Sequence, residues 1–214
     1  MASKPIALIT GANQGIGFKV ARQLLSAGTH HVLLGARSAE KARPPRHDDS
    51  IQAAAQFVSN KFSKIACPIV ISTRIVFETN VFGTAAVIVA FLALLRRSNY
   101  LDRRIVDVTS GLSLIAVVYT QKESSALTRS RCRSIVPTRR RSICLRPHMA
   151  VKLRKKGILV VTAMPGFTKT AFTVYRGGKP VSQRARNIVR AATEGDPEEL
   201  FGTIVGEELT EHGW

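Results

Sequence analysis

Three glycines near the start of the chain, Gly11, Gly15 and Gly17, stand where main chain could grip an anion. They lie in Thr10-Gly-Ala-Asn-Gln-Gly-Ile-Gly17, directly behind the apolar run Pro5-Ile-Ala-Leu-Ile9. A turn without Cβ atoms lets a pyrophosphate approach the backbone, and the N-terminus of a following helix adds unpaired N–H groups and the positive end of its dipole. Gly11, Gly15 and Gly17 are therefore the candidate phosphate-binding residues, and Thr10, Asn13, Gln14 and Ile16 beside them are candidate cofactor-binding residues. About 20 residues past the last glycine of such a loop, an acidic residue would bond the ribose 2′-hydroxyl of NAD, whereas an arginine accommodates the 2′-phosphate of NADP. The chain has Arg37 there, with Lys41 nearby, which favours NADP(H) over NAD(H). A structural turn without ligand, and a solvated Arg37, are the plain alternatives.

The elements that must position these residues follow on schedule. Pro5 to Ile9 has strand length. Phe18, Val20, Ala21, Leu24 and Leu25 recur at helical spacing until Gly28, a residue suited to closing a helix. His31-Val-Leu-Leu-Gly35 reads as a second buried strand. The result is a strand, turn, helix, strand unit of about 30 residues, as a dinucleotide-binding unit requires.

At 214 residues with 45% hydrophobic composition, the chain fits one globular domain over 1–214. No apolar leader is visible ahead of the first strand, and the longest apolar run, Val81 to Leu95, is too short to span a bilayer. Cys67, Cys132 and Cys144 are odd in number and lack metal-like spacing, so reduced thiols, no metal and a cytoplasmic location are expected. The formal charge of +18 prompts a nucleic-acid hypothesis. No acidic residue occurs from Ser124 to Thr193, and the basic block from Arg129 to Lys156 has no aromatic residue to stack on bases, which argues against that partner.

Thr-Gly-x-x-x-Gly-x-Gly behind an N-terminal strand resembles the cofactor loop of the short-chain dehydrogenase/reductase family, in particular its carbonyl-reductase-like members. The resemblance implies a Rossmann-type three-layer α/β fold with a mostly parallel central sheet. It also implies NADP(H)-dependent interconversion of a small-molecule carbonyl and its alcohol. Further matches run in order. Phe77-Glu-Thr-Asn-Val-Phe-Gly-Thr84 would lie in a helix from Val76 to Arg97, with Asn80 as the family's water-holding asparagine. Arg104-Ile-Val-Asp-Val-Thr-Ser-Gly111 reads as a strand ending at Ser110, the residue that would bond the substrate carbonyl, with Thr109 as the neighbouring hydroxyl. Ile158 to Ala163 is a strand followed by Met164-Pro-Gly-Phe-Thr-Lys-Thr170, where Pro165, Gly166, Thr168 and Thr170 match the segment that touches the nicotinamide carboxamide. An amphipathic helix from Val181 to Thr193, with Ala185, Ile188, Val189 and Ala192 on one face, precedes a short final strand within Phe201 to Val205.

The chain also departs from the family. Ser38 to Asp49 is too short for the usual second helix and third strand, so the sheet is expected to be partly truncated. Asp48-Asp-Ser50 would cap a helix from Ile51 to Lys61 with Ala54, Phe57 and Val58 as its apolar face. Ile65 to Ile71 is a strand candidate in which Pro68 argues against central pairing. Ser72-Thr-Arg-Ile75 replaces the family's Asn-Asn-Ala-Gly. The general-acid tyrosine and its lysine four residues on are expected around Ser130 to Arg139, a window without tyrosine; Tyr119 and Lys122, three apart, are taken as their substitute. Ser124 to Pro147 reads as irregular, broken by Pro137 and Pro147, and an out-of-frame segment would explain it; a transcript confirming the printed frame would reject that. A catalytically impaired dinucleotide-binding protein, or a degenerate gene product, is the rival reading. Family members are often dimers or tetramers, so a homo-oligomer stays open.

Overall fold

The computed structural model describes residues 4–35, 47–62, 67–70, 83–109, 147–170, 173–176, 178–206 and 211–212. Its strands are β1 (Ile6–Thr10), β2 (His31–Gly35), β3 (Cys67–Val70), β4 (Arg103–Val108), β5 (Ile158–Ala163), β6 (Ile204–Val205) and β7 (Glu211–His212). They form one sheet in the order β2-β1-β3-β4-β5-β6-β7, parallel throughout except for the antiparallel β6–β7 pair. The helices are α1 (Gly15–Ala27), α2 (His47–Phe62), α3 (Thr84–Arg97), α4 (147–154), α5 (Val181–Thr193) and α6 (Pro197–Leu200).

Successive side chains of a strand point to opposite faces, and here the alternation sorts the core into two halves. Ala7, Ile9, Val106, Val108, Leu159, Val161 and Ala163 face α1 and α5. Leu8, Ile105, Ile158 and Val160 face α2, α3 and α4. Both faces of the central strands are thus covered by helices, which is the three-layer α/β arrangement expected.

Several expectations change in detail. β2 is the edge of the sheet and not a buried strand: Leu34 is 55% exposed, because no described strand lies beyond it. Its edge position agrees with the shortened Ser38 to Asp49 segment. α2 begins at His47, so Asp48, Asp49 and Ser50 lie inside its first turn and not ahead of it, and acidic residues at that end of a helix favour its dipole. Its buried face carries Ala55 and Val58, while Phe57 is 59% exposed with the Lys61 ammonium 5.8 Å from its ring. Pro68 sits in a central strand after all: it pairs in register with Leu8 of β1, and the register with β4 begins one residue later, at Ile69. Pro147 is helical in place of interrupting a helix, a position proline tolerates in a first turn.

A buried cation ties the far end of the sheet together. Arg104 is 2% exposed; its Nε donates to Asp102 Oδ1 at 2.6 Å, Nη1 to the carbonyls of Ala191 (3.2 Å) and Glu194, and Nη2 to Gly195 O at 3.0 Å. One guanidinium thereby joins a carbonyl in the last turn of α5, and the two carbonyls that follow the helix, to the start of β4. Among the described residues no helix is long and apolar enough to cross a membrane.

Candidate functional site

In a parallel sheet, ligands bind beyond the carboxyl ends of the strands, where the strand order reverses. Here the chain leaves β1 for β2 on one side and returns to β3 on the other, so the reversal falls at β1. The glycine loop occupies that point.

The loop's shape follows from its glycines. Gly11 and Gly15 have φ of 63° and 62°, the left-handed region that side chains avoid. A Cβ on Gly17 would stand 2.5 Å from Gly11 O and 3.0 Å from Ala12 Cα, so only glycine lets the first turn of α1 pack against the loop. A Cβ on Gly15 would meet nothing within 4 Å, so the space outside the loop there is open. Gln14 precedes the helix without a side-chain cap, and the first turn of α1 contains no acidic residue. Among the described residues, then, neither a side-chain cap nor an acid of the first turn competes for the first N–H groups of the helix, a cradle suited to a phosphate. Asn13 and Gln14 are exposed at its rim, and Ile16 packs partly into the core. Ala12, which sequence reasoning passed over, anchors the loop: it is fully buried and its N–H donates to Gly35 O at 3.3 Å. This bond brings the end of β2, two residues before Arg37, to the glycine loop; Arg37 itself and Lys41 lie outside the described residues.

The second part of the site is built on β4 and β5. Their carboxyl ends are level, with Val108 opposite Ala163 and Thr109 N–H donating to Ala163 O at 2.9 Å. Thr109 is buried, and Ser110 follows it outside the described residues. Beyond β5, Pro165 is buried and Gly166 has φ of 73°. Thr168 is buried and donates through Oγ1 to Gly166 O at 3.0 Å. The Thr170 N–H donates to Thr173 Oγ1 at 3.1 Å, and Thr173 Oγ1 in turn donates to Thr168 O at 2.7 Å, so the hydroxyls stiffen this turn from within. The Arg184 guanidinium lies against Gly166, and burial lowers its pKa below the ordinary arginine value.

Asn80, Tyr119 and Lys122 also lie outside the described residues, as does Ser72-Thr-Arg-Ile75. Sequence reasoning overlooked one tyrosine and lysine that do stand four apart, Tyr175 and Lys179. They do not form a helical pair: Tyr175 sits in a turn with φ of 56° and is 68% exposed, and Lys179 forms a bridge with Thr168. Reasoning from sequence also missed Asn187, a buried amide on α5; its signal was a polar residue inside the run of Ala185, Ile188 and Ala192. Among the described residues no group of three or more His, Cys, Asp or Glu is placed to hold a metal ion.

Known proteins resemble this chain in sequence and in fold. Residues 5–62 match the family model for short chain dehydrogenase. The short-chain dehydrogenase anuI of Penicillium roqueforti is 41% identical over 250 residues, covering 99% of this chain and 98% of that protein. That alignment is longer than the 214-residue chain, so stretches of the relative have no counterpart here. Carbonyl reductase (NADPH) 1 of Mus musculus is 28% identical over 149 residues, 54% of this chain and 52% of the mouse protein. In fold, the NADPH-bound carbonyl reductase from chicken fatty liver superposes over all of both chains with a TM-score of 0.80 at 18% identity. With its Rossmann-type fold and a full-length relative of this kind, the chain belongs to the short-chain dehydrogenase/reductase family and is a carbonyl-reductase-like member of it.

Proposed function

We propose that this oxidoreductase is an NADP(H)-dependent enzyme that reduces a small-molecule carbonyl to an alcohol, or runs the reverse, in the cytoplasm as a single domain over 1–214. The observation that carries the reading is the bare start of α1: uncapped, without acid, and opening beside Gly15 onto free space. Those features fit a dinucleotide pyrophosphate. Arg37 is the residue to hold a 2′-phosphate, and the relatives named for NADPH support that choice over NAD(H).

When bound, the nicotinamide supplies a hydride to the carbonyl carbon, or takes one from the alcohol. The chain's own residues supply the rest in this proposal. Ser110 donates a hydrogen bond to the substrate oxygen and orients it. Tyr119 gives that oxygen its phenolic proton, and the Lys122 ammonium beside it favours the phenolate left behind. Asn80 holds a water that returns the proton. Pro165, Gly166, Thr168 and Thr170 border the carboxamide, while Thr10, Gly11, Asn13, Gln14, Gly15, Ile16 and Gly17 border the phosphates.

NADPH binding by fluorescence, then ketone-dependent NADPH oxidation, tests the proposal. Loss of a positioned acid costs roughly 10² to 10⁴-fold, so Tyr119→Phe is expected to lower turnover by that order while NADPH still binds. If Tyr175→Phe abolishes turnover and Tyr119→Phe does not, the acid moves to Tyr175. A purified chain that ignores NADPH at saturating concentration overturns the reading.

A further inference from the structure

Helix α5 reaches the segment beyond β5 through two polar side chains one turn apart. Asn187 is 4% exposed among Ala185, Ile188, Ala191 and Ala192, and its Nδ2 donates to Met164 O at 3.3 Å. Met164 N–H donates to Val205 O at 2.9 Å. The peptide groups on either side of Met164 are therefore held from two directions, by α5 and by β6, immediately before Pro165. Three residues earlier on α5, Arg184 covers Gly166, where a Cβ would stand 2.7 Å from Nη1 and 3.0 Å from Cζ. A buried amide in an apolar face is costly unless it makes its hydrogen bond, and the bond it makes fixes the exit of β5.

We infer that Asn187, together with Arg184, is a positioning residue for the nicotinamide end of the cofactor, acting through Met164, Pro165 and Gly166. The inference rests on the nucleotide reading above. Its physical basis is separation: the phosphate end is held at β1, the nicotinamide end at β5, and β3 and β4 lie between them. Asn187 and Arg184 reach Met164 and Gly166, whereas Ala185, Ile188 and Ala192 carry the packing of α5 on α1, so replacing only the two polar side chains is expected to loosen the nicotinamide end more than the glycine loop.

Two probes divide the ends: NADPH, and 2′-phospho-ADP-ribose, which lacks the nicotinamide. In Asn187→Leu, NADPH affinity is expected to fall about tenfold, the loss that goes with about one hydrogen bond's contribution, while 2′-phospho-ADP-ribose binds as in the wild type. Arg184→Met, at a half-buried surface position, is expected to show the same split and keeps the test in hand should Asn187→Leu not fold. Equal losses for both probes would mean a merely structural role and overturn the inference, as would unchanged NADPH affinity in a folded variant. A wild-type chain that binds neither probe overturns the nucleotide reading itself and this inference with it.

Discussion

At Gly17 and Gly15 the same substitution has two different consequences. Alanine at 17 drives a Cβ into Gly11 O at 2.5 Å, and overpacking of this kind costs about 1–3 kcal/mol. Gly17→Ala is therefore expected to lower the urea midpoint and NADPH affinity together. Alanine at 15 meets nothing within 4 Å, and pays about 1–2 kcal/mol for the left-handed backbone alone. Its Cβ projects into the space assigned to the phosphates, so NADPH affinity should fall further than stability does; equal falls would remove the phosphate from that space. His30 adds a pH effect. Burial holds its pKa below the ordinary 6.5, outweighing the Asp102 carboxylate, which pulls it upward. The unfolded chain then binds the proton more readily, so stability is present above pH 6.5 and is lost as pH falls through the lowered value. His30→Asn should flatten the difference between urea midpoints measured at about pH 7.5 and about pH 5.5.

Between elements, the strongest constraint is one that no periodicity announces. β4 looked like an apolar strand opened by a charged residue, yet Arg104 is buried and three of its four hydrogen bonds close the end of α5. A buried acceptor left without its donor costs about 1–3 kcal/mol, and without the guanidinium the carbonyls of Ala191, Glu194 and Gly195 lose theirs. Arg104→Leu is expected to destabilise by that order in urea unfolding, and Arg104→Lys to recover only part, since an ammonium cannot span three carbonyls. A neutral result would show that water replaces the guanidinium. At the opposite end of α5, Gln23 of α1 donates to Ser182 O at 2.7 Å, so α1 and α5 are tied to each other as well as to the sheet. Strand type was legible in β5, from Ile158 to Ala163, because six apolar or small residues bounded by glycine and proline admit little else. Edge and centre were not legible: the apolar β2 lies at the edge, and the proline-bearing β3 lies inside.

Over the whole molecule, two apolar layers share one sheet, so cofactor binding at the carboxyl edge is expected to stabilise the fold as a unit. At about 100 times Kd a ligand adds about 2.7 kcal/mol, and for a chain of this size each kcal/mol moves Tm by about 2–4 °C. NADPH should raise Tm by several degrees and more than NADH does at equal concentration. Arg37→Asp should reverse that order, and an unchanged order would take Arg37 out of the 2′-phosphate site. The excess charge of +18 belongs to this scale too, since the acid-free run from Ser124 to Thr193 includes α5 and the loop beyond β5.

The amino-acid order by itself determined what depends on near neighbours: the Gly11, Gly15 and Gly17 turn, the helix that ends at Gly28, and the strand and helix types on either side. Those features are decided within a few residues by backbone sterics and by the period of the apolar positions. Tertiary structure alone decided that Ala12 pins the loop to Gly35, that Asn187 and Arg184 reach back to Met164 and Gly166, and that Arg104 bonds carbonyls some ninety positions away. Such contacts join residues far apart in the chain, and a polar side chain carries no local sign of the partner that will satisfy it.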